Sequence, residues 1–195
     1  MNAHGWVTTT LILVPLGGAL LVWLLPMPRV WLAPLALLIA LFEIGFWIEA
    51  LTKFDFGKGS LQESSKLTWF KDLGVSYHVG MFEGYSVWLV GLTVVVLGAS
   101  IAYGLWSRRD RPGAYYGLML FLTGAIVGVF TSQDLLLFYV FWEAMLIPLY
   151  VLIGVWGGPG RSGATIKFVI YTMVGSLLML AAVIVYGLQA GTFSM

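Results

Sequence analysis

This sequence of 195 residues contains no cysteine. That excludes disulfide frameworks, thiolate metal sites and cysteine-ligated iron–sulfur clusters. Histidine is nearly absent too: His4 and His78 both lie outside the long apolar runs, so a bis-histidine haem inside a bilayer has no ligands. Charge is the third scarcity. Only 10% of residues are Asp, Glu, Lys or Arg, against about 25% in an ordinary soluble domain. The net charge of +1 points to no polyanionic partner and argues against nucleic acid. No metal or cofactor is therefore expected in this chain, and any redox chemistry tied to it must run elsewhere.

What is abundant is apolar surface. Hydrophobic residues make up 60% of the chain and the mean hydropathy is +0.94. A water-soluble core cannot use that much, so the solvent is a membrane. A helix crossing the hydrocarbon needs about 20 mostly apolar residues. Six segments qualify: Val7–Leu25, Val30–Leu51, Tyr85–Trp106, Tyr115–Thr131, Asp134–Trp156 and Ala164–Leu188. The runs are continuous rather than alternating, which excludes barrel strands. The first is not a cleavable signal peptide, because Met1–Trp6 carries no positive charge and no small-residue cleavage site follows. The predicted fold is all-α, a polytopic transmembrane bundle of about six helices in a single membrane domain.

Three connections are short (Pro26–Arg29, Ser107–Ala114 and Ser132–Gln133), so neighbouring helices must be antiparallel. The exception is the extramembrane segment Thr52–Gly84. Within it, Leu67–Phe70 and Val75–Val79 are β-prone runs flanking the turn-like KDLG, which predicts a small hairpin. Arg29, Arg108, Arg109, Arg111, Arg161 and Lys167 fall on one side of the membrane, Lys53, Lys58, Lys66 and Lys71 on the other. The excess of the first group puts it in the cytoplasm and the amino terminus outside. Gly117, Gly124 and Gly128 of the fourth span, with Gly91, Gly98, Gly104 and Gly175 elsewhere, are read as close-packing positions inside one bundle rather than a dimer interface.

The fifth span, LLLFYVFWEAMLIPLYVL, holds Glu143 near mid-depth. An acid there costs about 2.5–3.5 kcal/mol on insertion scales. Low dielectric disfavours a carboxylate unless a cation is near, so such a group can be poised to exchange protons near neutral pH. Helical spacing puts Glu143 on one face with Leu136, Tyr139, Val140, Leu146, Ile147 and Tyr150, and the tyrosine hydroxyls could hold water or orient the carboxyl. Pro148 leaves the Ala144 carbonyl without its helical partner. A kink, a free carbonyl and a carboxyl make a polar pocket. The plainer reading, in which Glu143 only hydrogen-bonds a neighbouring helix, is disfavoured because intramembrane acids are rare and usually functional.

Other polar residues carry weaker signals. Glu43, in the second span, reads as an acid snorkelling to the outer interface, with a second protonatable site as the alternative. Glu49 lies near the rim. Lys167 reads as an interface anchor, with an electrostatic partner in a proton path as the alternative. Asp134 suits the positive end of the fifth helix as a cap.

The stretch FYVFWEAMLIPLYVLIGVWGG followed by ATIKFVIYTMVGSLLML resembles the antiporter-like membrane subunits of respiratory complex I. The match is to the bacterial NADH-quinone oxidoreductase subunit M family and its organellar subunit 4 counterparts. LILVPLGGALL and GMFEGYSVWLVGLT fit as well, although Glu83-Gly84 stands where the family usually has Asp-Gly. The resemblance covers the whole chain but only the first six helices of a subunit with about fourteen. It implies that Glu143 matches the family's essential fifth-helix carboxylate, whose lysine partner sits on a seventh helix beyond these six. Lys167 is not that lysine. The chain is expected to be an incomplete piece, whether a truncated product, a partial sequence or a split subunit completed by another chain.

The function this implies is proton translocation as a membrane-arm subunit of NADH:quinone oxidoreductase in a bacterial inner membrane. Its partners would be the other membrane-arm subunits, with NADH and quinone handled only through other subunits. As part of that translocase it would be an enzyme subunit without a redox site of its own. The alternatives are a subunit of a multi-subunit cation/proton antiporter, a membrane subunit of an energy-converting hydrogenase or formate-hydrogen lyase, and a remnant with no transport role.

Overall fold

A computed structural model describes residues 6–25, 27–58, 60–70, 75–81, 85–107 and 109–195. The expectations resting on His4, the KDLG turn, Glu83-Gly84 and Arg108 lie outside the described residues. The elements run α1 (Trp6–Leu24), α2 (Arg29–Lys53), β1 (Gln62–Phe70), β2 (Val75–Met81), α3 (Tyr85–Ser107), α4 (Pro112–Thr131), α5 (Leu135–Trp156) and α6 (Arg161–Ala190). All six helices are long and apolar enough to cross a membrane. The predicted six-span bundle with an interposed hairpin is the observed fold, with helix ends shifted by a few residues.

The ends follow from local chemistry. Pro112 opens α4 at its first position, where a missing amide proton costs nothing. The GGPG run after Trp156 stops α5, and Gly160 takes a left-handed conformation (φ 82°) to start α6 three residues earlier than the apolar run suggested. Gly191 (φ 67°) closes α6 in the same conformation. Three helices run through a proline without interruption: Pro15 in α1, Pro34 in α2 and Pro148 in α5.

Helix α4 is the hub, packing on α1, α2, α3 and α5, while α6 packs on α5. Most of α4 is enclosed by its neighbours, whereas α5 and α6 are open along most of their length. Glycines set the approach distances. A Cβ at Gly117 would strike Trp23 of α1, one at Gly91 Trp47 of α2, and one at Gly128 Phe141 of α5. At Gly124 it would lie 2.7 Å from Leu16 Cγ and 2.9 Å from the Ile12 carbonyl oxygen. These glycines pack within one chain, as the GxxxG reading expects. Gly175 departs from that reading, because a Cβ there would meet nothing within 4 Å. It sits on α6, which is open along most of its length.

Two apolar clusters stack along the bundle. One joins Val7, Leu11, Ile12, Ala50, Phe54, Val79, Met81, Val87, Val90, Val94, Val127 and Leu137 at the hairpin end. The other joins Ala19, Val22, Leu32, Ala36, Ile39, Ala40, Ile101, Tyr115, Tyr116 and Leu120 at the opposite end.

The hairpin is antiparallel and pairs Ser65 with Val79, Lys66 with His78 and Leu67 with Tyr77. Its first strand begins five residues before the predicted Leu67, because QESSK is too polar to signal a strand and is held by tertiary contacts instead. Thr8 Oγ1, for instance, donates to the Glu63 carbonyl at 2.7 Å. The hairpin does not stand apart from the helices. Val79 bridges to Ser132, Gln133 N donates to the His78 carbonyl at 2.8 Å, and Asp134 bridges to Ser194 beyond α6. One end of the bundle is thereby knitted by backbone pairing.

Candidate functional site

Helix α5 carries the mid-span acid. Its start is fixed by Asp134, whose Oδ1 accepts from the backbone N–H groups of Leu136 (3.0 Å) and Leu137 (3.2 Å). This is the capping role the sequence suggests. The other oxygen, Oδ2, accepts from the backbone N–H of Ser76 at 3.0 Å, and Asp134 is fully buried. The cap therefore also anchors the hairpin, which sequence spacing did not reveal.

Glu143 is the ninth of the 22 residues of α5, about 12 Å along the axis from Leu135. It is half-buried. Its Oε1 is enclosed and has no hydrogen-bond partner among the described residues. Tyr139, one turn earlier, interacts with both Glu143 and Ser176 of α6. Carboxyl, phenol and hydroxyl thus converge between α5 and α6. Ser176 was missed in the sequence, where a serine inside GSLLML carries no spacing signal.

The other predicted site residues are distributed along the same two helices. Pro148 is buried. Tyr150 is exposed and lines a cleft of about 340 Å³ with Val151, Gly154, Ser162, Thr165 and Ile166, between α5 and the start of α6. Of the face predicted around Glu143, Tyr139 and Leu146 are half-buried, whereas Val140 and Ile147 are open. Lys167 is exposed and nine residues before Ser176, about 14 Å away along the axis of α6. Among the described residues, no ion pair joins Lys167 to Glu143.

Glu43 corrects the sequence reading. It does not snorkel: it is 1% exposed, and neither carboxylate oxygen has a hydrogen-bond partner among the described residues. The acid at the rim is Glu49, bonded to Lys53 Nζ at 2.6 Å. Periodicity could not find this difference, because every face of α2 is apolar enough for lipid.

At the far end, the short turns carry the arginines. Arg109 packs 5.6 Å from the ring centroids of both Tyr103 and Tyr115, and Arg111 takes a left-handed conformation before Pro112. On the hairpin, burial pushes the His78 imidazole below its ordinary pKa; Lys66 adds to this and Asp134 opposes it. Among the described residues, no group of three or more His, Cys, Asp or Glu side chains is placed to hold a metal ion.

Similarity to known proteins falls on the same elements. A family model described as NADH:quinone oxidoreductase/Mrp antiporter, transmembrane, matches residues 132–195, which include Asp134, Glu143 and Ser176. F(420)H(2) dehydrogenase subunit M of Methanosarcina mazei is 35% identical over 91% of this chain and 35% of its own length. NAD(P)H-quinone oxidoreductase chain 4 2 of Thermosynechococcus vestitus is 36% identical over 100% of this chain and 37% of its own. The chain thus spans about a third of the length of the curated relatives it matches. Two solved structures share the fold. The Mrp complex from Dietzia sp. DQ12-45-1b aligns with a TM-score of 0.73 at 22% identity, over 96% of this chain and 20% of that one. The membrane-bound sulfane sulfur reductase, an archaeal respiratory membrane complex, aligns with a TM-score of 0.78 at 19% identity, over 96% of this chain and 29% of that one. The chain is a multi-pass membrane protein in a family relationship with the antiporter-like membrane subunits of NADH:quinone oxidoreductases and Mrp antiporters.

Proposed function

We propose that this chain is the amino-terminal part of a proton-translocating membrane-arm subunit of an NADH:quinone oxidoreductase, with Glu143 as the proton-exchanging group. The observation that carries the reading is the mid-span carboxyl of Glu143, which meets the Tyr139 phenol while its enclosed Oε1 has no hydrogen-bond partner among the described residues. Acids at mid-depth in a membrane are rare and mark proton or ion pathways. A cation supplied by a later part of the full subunit would bias the exchange, and quinone reduction in partner subunits would move that cation. Lys167, closer to one membrane face, would act at the path's mouth. Pro148 and Tyr150 lie on the route from that mouth to Glu143. The arginine-bearing turns support a cytoplasmic placement of that face in a bacterial inner membrane, with the amino terminus outside.

Glu143→Gln, made in the full-length subunit within its complex, tests the reading. The isosteric amide is expected to permit assembly and to reduce proton pumping and coupled turnover about a hundredfold. Pumping at the unaltered rate would remove Glu143 from the path.

A cation/proton antiporter subunit is the second reading, supported by the family model that spans both classes. Sodium-dependent proton movement in vesicles without any electron donor would favour it. Turnover that needs NADH or another reduced cofactor would favour the first.

A further inference from the structure

We propose that Glu43 is a second proton-exchanging carboxyl of this chain, working inside the α1–α4 bundle and separate from Glu143. Its position is unlike that of any other acid among the described residues. Glu43 is 1% exposed and both of its carboxylate oxygens lack a hydrogen-bond partner among the described residues. It lies between the two apolar clusters. Ala40, one turn before it, belongs to the cluster away from the hairpin, while Ile44 and Trp47, just after it, pack on the cluster at the hairpin end.

The helices around it offer no counter-charge. α2 packs on α1, α3 and α4, and those three helices contain no Asp, Glu, Lys, Arg or His. Their titratable groups are the tyrosines Tyr85, Tyr103, Tyr115 and Tyr116, all near helix ends. On α2 itself, Arg29, Glu49 and Lys53 lie towards the two ends. Beyond the bundle end, Tyr77 and His78 belong to the hairpin. An ionised carboxylate in this layer would be a buried charge with neither cation nor hydrogen bond, the most costly arrangement a protein interior can hold.

Stability does not account for it. A leucine of similar size would fill the same space without an unpaired polar group. The layer nevertheless has the means to pass a proton. Gly18 of α1 meets Ile39 of α2, so one turn further towards the hairpin brings Glu43 to the level of Pro15. Pro15 leaves the Leu11 carbonyl without its helical partner. On α4, buried Thr123 lies between Leu120 of one cluster and Val127 of the other, its hydroxyl donating to the Met119 carbonyl at 2.9 Å. A carboxyl, a freed carbonyl and a hydroxyl at one level suit a transient water. In the exchange, the Glu43 O–H bond breaks as that water accepts the proton, and it re-forms on return. No electron moves.

The protonation chemistry stands on this geometry, while its coupling to transport rests on the function proposed above. Two measurements separate them, both on the full-length subunit in its native membrane assembly. The first is labelling by a lipid-soluble carbodiimide, which adds to protonated carboxyls, followed by mass spectrometry across a pH series. Labelling of Glu43 that declines towards alkaline pH is expected. The second is proton transport by Glu43→Gln and Glu43→Leu. Both are expected to assemble, the leucine variant at least as stable as the parent, and both to lose transport several-fold. Labelling absent at every pH, or unaltered transport in both variants, would overturn the inference. If Glu143→Gln alone stops transport, this inference fails and the function stands. If Glu43→Gln stops it and Glu143→Gln does not, this inference stands and the Glu143 path fails.

Discussion

The carboxylate of Asp134 holds the backbone of Ser76 at 3.0 Å, across 58 residues of sequence, while its second oxygen caps α5. One buried side chain thus sets both the start of the Glu143 helix and the seat of the hairpin. Asp134→Ala removes the cap and leaves the Ser76 N–H unpaired. We expect a loss of about 2–3 kcal/mol, read as a lower midpoint of denaturant unfolding in detergent. Asp134→Asn, which keeps an accepting oxygen, should lose less.

Tyr139 meets Glu143 on its own helix and Ser176 on α6. If they position the carboxyl and its water, Tyr139→Phe and Ser176→Ala should each slow proton transport less than Glu143→Gln does. The pH profile of transport should also move in Tyr139→Phe. An unchanged profile together with an unchanged rate would leave the phenol with packing alone.

Gly124 and Gly175 make a matched pair. Gly124→Ala drives a methyl towards Leu16 and the rigid Ile12 carbonyl, and overpacking of this kind costs about 1–3 kcal/mol. Gly175→Ala enters open space, and in this chain should change stability by less than about 1 kcal/mol. Thermal unfolding of the two purified variants gives the comparison directly.

The hairpin should weaken in acid. His78 has its pKa lowered on folding by burial and by Lys66 across the strand pair, so the unfolded chain binds the proton more readily. Its contribution is complete above the ordinary histidine pKa and is lost as pH falls through the depressed folded value. Between neutral pH and about pH 5 the melting temperature should drop, and His78→Asn should flatten that part of the profile. A parent profile without slope there would exclude His78 as its source.

Long apolar runs bounded by Pro, Gly and Arg determined the six helices by themselves, since only a helix satisfies its own backbone in lipid. The same reading placed Glu143 at mid-span, Asp134 at a helix start and the α4 glycines at close contacts. It could not determine which face of each helix turns inward. In water an apolar stripe marks the buried side, but here every side is apolar, so periodicity is silent. Tertiary packing alone decided that Glu43 is enclosed while Glu49 reaches the rim, that Ser176 meets Tyr139, that Gly175 faces open space, and that the polar QESSK run becomes a strand. Each depends on which helix stands beside which, and that is fixed by contacts between segments far apart in the chain.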